Sequence, residues 1–188
     1  MSQPNDSYLR SAFSFKDRLR RQFWSVVQAT LIRWSPRPLH AWRARILRIF
    51  GAQLGKDCHI YPRANIWAPW NLRCEDVVAI ADGAFIYNPS EVFLGSHVVV
   101  SQEVFLCGAS HDHNDPEFPL FSRSIRIEKF AWLCARSTVL PGIRIGEGAV
   151  VGVGSVVTKD LTSWTVFGGV PARKISNRIR HEDKENTH

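Results

Sequence analysis

Two histidines stand close together in a short segment that holds most of the chain's candidate chemistry. His111 and His113 lie in CGASHDHNDPEFPLFSRSIR, residues 107–126, beside Asp112 and Asp115. An imidazole titrates near neutral pH and can accept a proton from a hydroxyl group, so either histidine could serve as a general base. The remaining histidines fall in predicted helices, repeat strands or the tail, where packing or solvation is the expected role: His40, His59, His97, His181 and His188.

The sequence gives little support for thiol chemistry. The four cysteines, at positions 58, 74, 107 and 134, form no C-x-x-C pair and have aliphatic or repeat residues around them. Such cysteines usually act as small buried hydrophobic groups in a reducing compartment. No cysteine or serine beside His111 forms a recognisable nucleophile elbow, so a covalent enzyme intermediate is not expected.

The elements that must position these groups follow a six-residue repeat, which is clearest from residue 127 to residue 160. An aliphatic residue opens each block of six: Ile127, Leu133, Val139, Ile145, Val151 and Val157. Small residues stand four places later in most blocks, at Ala131, Ser137, Ala149 and Ser155. An even period keeps the alternation of a strand, and a small residue fits a tight corner, so the pattern predicts a β-solenoid.

The same repeat begins at Leu54 and continues with small phase slips. It predicts five turns, over 54–72, 72–93, 94–106, 127–144 and 145–160. The one large break is segment 107–126, which should leave the solenoid as a protruding loop. Loops of this kind commonly carry functional residues, which again singles out the two histidines.

Two amphipathic helices are predicted before the solenoid. Ser14 with Asp17 three residues later is a helix-start pattern, and the run SPRP should end the first helix near Trp34. A second helix should begin at Pro38 and end at Gly51. The apolar face of the first helix comprises Leu19, Phe23, Val26, Val27, Thr30, Leu31 and Trp34, and the opposite flank Arg18, Arg21, Ser25 and Gln28; the second helix aligns Leu39, Trp42, Ile46, Ile49 and Phe50.

The net charge of +7 is concentrated in this helical segment. Residues 1–50 hold ten Lys and Arg against Asp6 and Asp17, a net charge of +8, whereas residues 51–188 hold fourteen basic and fifteen acidic residues. No nucleic-acid-reading module accompanies the charge, so nucleic acid is not an expected partner.

Two roles for the basic helices remain open. Their apolar faces could cover the first solenoid turn, which otherwise exposes an unpaired edge, while Arg43, Arg45 and Arg48 face solvent. Their apolar faces could also make peripheral contact with an anionic membrane surface, as tryptophans among arginines suggest: Trp24, Trp34 and Trp42. The two roles are compatible.

The chain is expected to form one solenoid domain with a segment at each end. The helical extension occupies 1–51, the solenoid domain 52–168, and a tail 169–188 with a short basic helix from Ala172. No apolar run is long enough to span a bilayer, and MSQPNDSYLRSAFSFKDRLRR lacks the apolar core and cleavage site of a signal peptide. We expect the protein to lie in the cytoplasm, either free or at the inner face of the membrane.

The sequence resembles a known family in several stretches. IGEGAVVGVGSVVTKD followed by GGVPARKI resembles the carboxyl-terminal part of hexapeptide-repeat acetyltransferases, and CGASHDHNDPEFPL resembles the SHDYSDPAFPL-type loop of colanic acid biosynthesis acetyltransferases, which are related to galactoside and maltose O-acetyltransferases. PRPLHAWRARILRIFGAQLGKDCHIYPRANIWAPWNL extends the likeness upstream. The family's C-T-G-S-H stands here as C-G-A-S-H, and IGDGAW as IEKFAW. The resemblance implies an all-β fold, a left-handed parallel β-helix, and acetyl-CoA as co-substrate.

The resemblance also implies roles for individual residues. His111 would be the catalytic base, Trp132 a wall of the active site, and His113 a neighbour of the substrate. The sugar-facing positions would be Tyr87 and Asn88; the pantetheine arm would run past Ala135 and Val153; the nucleotide end of CoA would meet Thr158, Lys159 and Arg173. No metal is required in this scheme.

These roles imply an O-acetyltransferase that acts on a sugar hydroxyl of an exopolysaccharide or lipopolysaccharide intermediate by direct transfer in a ternary complex. A single convex prism forms no deep cleft, so a homotrimer with sites between subunits is expected, as in relatives. One alternative is a β-helical zinc enzyme of the carbonic anhydrase type, with His97, His111 and His113 as ligands. Another is a non-catalytic scaffold that does not bind CoA.

Overall fold

The computed structural model describes residues 13–179 and forms a parallel β-solenoid with about six turns. The first sheet contains β1 (Gln53–Leu54), β4 (Leu72–Cys74), β7 (Val92–Leu94), β12 (Ile125–Ile127) and β15 (Arg144–Ile145). The second sheet contains β2 (His59–Ile60), β5 (Ala79–Ile80), β8 (Val99–Val100), β13 (Trp132–Leu133), β16 (Val150–Val151) and β18 (Thr165–Gly168). The third sheet contains β3 (Asn65–Ile66), β6 (Phe85–Tyr87), β9 (Phe105–Cys107), β14 (Thr138–Val139) and β17 (Val156–Val157).

The six-residue repeat fills the interior of this solenoid as predicted. All six aliphatic residues that open the blocks are fully buried: Ile127, Leu133, Val139, Ile145, Val151 and Val157. So are the small residues at the corners: Ala131, Ser137, Ala149 and Ser155. The sequence predicts five turns, whereas the second sheet holds six parallel strands because β18 follows the last recognisable block.

Two helices precede the solenoid, α1 (Phe15–Val27), which continues as a π-helix over Gln28–Ile32, and α2 (His40–Ile49). The predicted start is confirmed, since the Ser14 hydroxyl accepts a hydrogen bond from the Asp17 amide at 3.1 Å. Trp24, Ile32 and Leu47 join the hydrophobic core that begins at β2 and β3. The helices therefore cover the first turn of the solenoid. No helix in residues 13–179 is long and apolar enough to cross a membrane.

The orientation of α1 differs from the prediction. The predicted polar flank faces the solenoid, where Gln28 accepts a hydrogen bond from the Ile66 amide at 2.9 Å. Trp24 donates its indole N–H to the Ile66 carbonyl at 2.6 Å. Most of the predicted apolar face is exposed instead: Leu19, Phe23, Val26, Leu31 and Trp34. Arg43, expected in solvent, is also fully buried.

The first solenoid turn explains this reversal. Its outer backbone groups have no neighbouring strand, and a buried carbonyl without a donor is costly. Polar side chains satisfy them: Arg43 Nε donates to the Ile60 carbonyl at 2.6 Å, and Arg48 Nε to the Leu54 carbonyl at 3.2 Å. An apolar face could not make these bonds. Polar groups therefore turn inward beside the core residues Trp24, Ile32 and Leu47, and the predicted apolar face of α1 is left outside.

An additional strand lies at the far end of the solenoid. β19 (Arg173–Asn177) pairs antiparallel with β18, so the short helix predicted from Ala172 is wrong. The reason is again that unpaired backbone groups need hydrogen-bond partners, and β19 supplies them to β18, which would otherwise be an unpaired edge of the second sheet. The outer parts of the predicted extension and tail, 1–12 and 180–188, lie outside the described residues.

Candidate active site

The segment that breaks the repeat forms a β-hairpin. β10 (Ala109–His111) pairs antiparallel with β11 (Leu120–Ser122), with His111 opposite Leu120. Hydrogen bonds within the turn hold it in shape: Asp112 Oδ1 accepts from the Asn114 amide at 3.0 Å, and Asp115 Oδ1 from the Glu117 amide at 2.9 Å. The predicted loop is therefore a structured element that leaves the solenoid between the third and the first sheet.

His111 is oriented by the opposite side of this turn. Its Nδ1 lies 2.8 Å from the Phe118 carbonyl oxygen, and its ring stacks on the Phe118 ring with centroids 4.5 Å apart and planes 6° apart. A carbonyl only accepts hydrogen bonds, so Nδ1 carries the proton. The neutral imidazole then has an unprotonated Nε2, the atom that a general base needs. The side chain is exposed, so Nε2 can reach a substrate.

Gly108 fixes the base of the hairpin. Its N–H donates to the Tyr87 carbonyl at 2.7 Å, and its carbonyl accepts from Arg123 at 3.0 Å. A Cβ at this position would lie 2.5 Å from the Tyr87 oxygen, so a larger residue would displace the hairpin. Sequence reasoning did not single out Gly108 or Phe118, because their roles depend on a strand pairing that the repeat does not reveal.

Tyr87 and Asn88, adjacent in sequence, have different surroundings. The Tyr87 ring is half-buried and meets the Trp67 ring edge-on at 5.2 Å; burial raises the pKa of its hydroxyl. Asn88 is fully buried, and its amide accepts from the Ala68 amide at 2.9 Å and donates to the Ala68 carbonyl at 2.7 Å. Tyr87 thus lies at the base of the hairpin, whereas the Asn88 side chain joins two turns of the scaffold.

Trp132 lies in the second sheet. Its side chain is 46% exposed, and its indole N–H donates to the Ser101 hydroxyl at 3.0 Å. The hairpin leaves the corner opposite this sheet, between the other two. Within one chain, therefore, Trp132 and His111 are not brought together. His113 is exposed in the turn of the hairpin.

Four of the five residues expected at CoA flank the third sheet. Ala135 and Val153 occupy successive turns of the corner before it, where the Ala135 carbonyl accepts from the Gly154 amide at 3.0 Å and Val153 is 71% exposed. Thr158 and Lys159 directly follow β17 and are exposed at the opposite edge. Arg173 begins β19 and is also exposed. All five positions are thus at the surface, along the C-terminal half of the solenoid.

Among the described residues, the geometry gives little support for a metal site or for a thiol nucleophile. Within residues 13–179, no group of three or more His, Cys, Asp or Glu side chains is arranged to hold a metal ion. His97, one proposed zinc ligand, stacks on Phe130 at 5.0 Å. Cys107, close to the hairpin in sequence, donates its thiol to the Ala109 carbonyl at 3.1 Å, and burial raises the pKa of this thiol.

The fold is that of the hexapeptide-repeat acetyltransferases. A hexapeptide-repeat acetyltransferase of Vibrio cholerae solved in complex with acetyl coenzyme A superposes with a TM-score of 0.79 at 23% identity, over 90% of this chain and 93% of that one. A galactoside acetyltransferase in complex with coenzyme A gives a TM-score of 0.82 at 22% identity, over 93% of this chain and 88% of that one. No protein-family model matches the sequence.

Sequence relatives define the family more narrowly. The protein assigned to colanic acid biosynthesis as the acetyltransferase WcaF in Escherichia coli K12 is 40% identical over 87% of this chain and 90% of its own length. The galactoside O-acetyltransferase of Lactococcus lactis is 30% identical over 70% of this chain and 67% of its own length. The chain belongs to the family of colanic acid biosynthesis acetyltransferases, and it is an acetyltransferase.

Proposed function

We propose that the protein transfers the acetyl group of acetyl-CoA to a hydroxyl group of a sugar in an exopolysaccharide or lipopolysaccharide intermediate, with His111 as the general base. The observation that carries this proposal is the 2.8 Å contact between His111 Nδ1 and the Phe118 carbonyl. It keeps the proton on Nδ1 and leaves Nε2 to accept the hydroxyl proton. Two relatives from Escherichia coli K12, a colanic acid biosynthesis acetyltransferase and a lipopolysaccharide biosynthesis O-acetyl transferase, support the acceptor class.

The transfer is direct. His111 Nε2 takes the proton as the sugar oxygen attacks the thioester carbonyl, backbone N–H groups hold the oxyanion, and the carbon–sulfur bond then breaks. The imidazolium returns the proton to the CoA thiolate. An acetyl-enzyme is not needed, and the nearby Cys107 is a poor nucleophile because burial raises the pKa of its thiol and disfavours the thiolate.

CoA is proposed to lie against the C-terminal half of the solenoid. The surface position of Ala135 and Val153 suits contacts of the backbone with the amides of the pantetheine arm. Thr158, Lys159 and Arg173 would meet the nucleotide end, whose phosphates favour fixed cations. Acetyl-CoA is an intracellular metabolite, so this proposal includes a cytoplasmic location.

The site is proposed to lie between subunits of a homotrimer. His111 and Trp132 belong to opposite sides of one prism, so a cleft that uses both needs a second chain. In this arrangement the hairpin of one subunit meets the second sheet of its neighbour. Trp132 would form a wall of the cleft there, and Tyr87 and His113 would contribute to the sugar side.

The experiment that tests the function is CoA release from acetyl-CoA with lipid-linked and nucleotide-linked sugars as acceptors. We expect one class of sugar to accelerate CoA release and to gain one ester-linked acetyl group by mass spectrometry. A rapid-quench sample should contain no acetylated protein. CoA release that no sugar accelerates, or an acetylated cysteine or serine that forms at the rate of turnover, would contradict the proposal.

A further inference from the structure

The two N-terminal helices leave a large apolar surface without a partner in the chain. We call it the outer helical face; it comprises Phe15, Leu19, Phe23, Val26, Leu31, Trp34, Leu39, Trp42 and Ile49, all exposed. The two helices meet beside this face: the Phe23 ring lies 5.7 Å from that of Phe50, which directly follows α2, and the Trp42 indole N–H donates to the Leu31 carbonyl at 3.2 Å. Trp34, at 83%, and Ile49, at 73%, are almost fully exposed. Monomeric proteins seldom expose so many large apolar side chains together.

This exposure is built into the fold. α1 cannot rotate to bury its apolar side, because Trp24 and Gln28 on the other side bond to the backbone of Ile66. α2 is held likewise by Arg43, which donates to the carbonyls of Ile60 and Pro36. The solenoid therefore uses the inner side of each helix, and the outer helical face remains available for something else.

Cations surround the outer helical face. Lys16, Arg18, Arg33 and Arg45 are exposed, and none of them forms an ion pair within residues 13–179. Asp17 is the single acidic residue from 13 to 50. Arg45 stands three residues after Trp42 and four before Ile49, so it lies on the same side of α2 as these apolar residues.

We infer that the outer helical face binds the surface of an anionic phospholipid bilayer. Apolar side chains with tryptophans, framed by unpaired cations, are the composition of helices that lie in the membrane interface. A second copy of the chain is a poorer occupant, because pairing two such faces would bring arginines against arginines. Anionic head groups neutralise the same charges. The inference does not depend on which sugar accepts the acetyl group, and a binding assay tests it without turnover.

The test is co-sedimentation of the full-length protein with vesicles of phosphatidylcholine alone and of equimolar phosphatidylcholine and phosphatidylglycerol. We expect binding to the anionic vesicles, weakened by salt, and little binding to the neutral ones. Leu19→Ser with Trp34→Ser removes apolar contact, and Arg33→Gln with Arg45→Gln removes charge. Each pair should weaken the partition by roughly tenfold or more.

Matched controls come from the other end of the molecule. Val170→Ser, which removes an equally exposed apolar side chain, and Lys174→Gln, which removes an exposed charge, should bind as the unchanged protein does. Light scattering is measured on every variant. The inference is overturned if the unchanged protein stays in the supernatant, if the outer-face variants bind like the controls, or if they alone lose subunits, which would show that a second copy covers this face.

Discussion

At the scale of single residues, the proposed mechanism depends on how His111 is held. A backbone carbonyl, not a carboxylate, fixes its tautomer, and the stacked Phe118 ring fixes its plane. The orientation therefore comes from the hairpin itself and needs no acidic partner. Such a base can be preorganised while its unprotonated nitrogen stays open to solvent until the acceptor binds.

The cations proposed at CoA give a prediction at the same scale. Lys159→Ala with Arg173→Ala should raise the KM for acetyl-CoA by roughly tenfold or more and leave the KM for the sugar nearly unchanged, because phosphate contacts are charge-assisted. Steady-state kinetics with both substrates varied measure this. Lys174→Ala, at the exposed neighbour of Arg173, is the control. An unchanged dependence on acetyl-CoA would contradict the proposed orientation of CoA.

At the scale of elements, the sequence predicts the repeated strands of the solenoid far better than the elements at its two ends. The six-residue spacing predicts that Ile127 and Val151 occupy buried strand positions, because this period is visible within a short stretch of sequence. Both residues are fully buried. The orientation of α1 and the strand formed by Arg173–Asn177 depend on unpaired backbone at the two ends of an assembled solenoid. Hydrophobic periodicity carries no information about these unpaired backbone groups. It favours an apolar face inward, whereas hydrogen bonding requires Gln28 and Arg43 inward.

The candidate site is likewise only partly predictable from the sequence. The phase break and the likeness of the loop single out His111 from the sequence, but its contact with Phe118 arises only from the pairing of β10 with β11. For Asn88 the sugar-facing role rests on the resemblance to the family alone, and no local pattern in the sequence reveals that its amide bonds to the backbone of Ala68.

Two glycines at solenoid corners give a matched test of the packing. Gly148 has φ +64° and a Cβ there would lie 2.6 Å from the Trp164 ring, whereas Gly154 has φ +66° and nothing within 4 Å. Gly154→Ala should cost about 1 kcal/mol of unfolding free energy from backbone strain alone. Gly148→Ala should cost about 2–4 kcal/mol because the clash adds to the strain. Equal shifts of the denaturation midpoint would show that contact with the Trp164 ring adds nothing to the cost at Gly148.

At the scale of the whole molecule, the structure has two covered ends and three exposed sheets. The helices cover the first turn, and the tail that ends in β19 pairs with the last one. Trp132 and the hairpin of His111 lie on opposite sides of the prism. The sheets and the hairpin are thus the surfaces through which subunits would meet.

Subunit mixing tests the shared site. Light scattering should give a mass near three chains, and co-expression of His111→Ala with Trp132→Ala should restore activity that neither variant has alone. Random assortment in a trimer regenerates roughly a quarter of the sites if each site takes these residues from two subunits. No restoration by mixed trimers, or full turnover by a stable monomer, would contradict the arrangement.

The most direct measurement is the kcat of His111→Ala beside that of His113→Ala. Both histidines are exposed in the same hairpin, His111 at the end of β10 and His113 in the turn, and only His111 bonds to the Phe118 carbonyl. His111→Ala should lower kcat by roughly 100-fold to 10,000-fold with the denaturation midpoint and acetyl-CoA affinity retained. His113→Ala should keep kcat and change at most the KM for the sugar. Near-normal kcat in His111→Ala, with the loss in His113→Ala instead, would contradict the account.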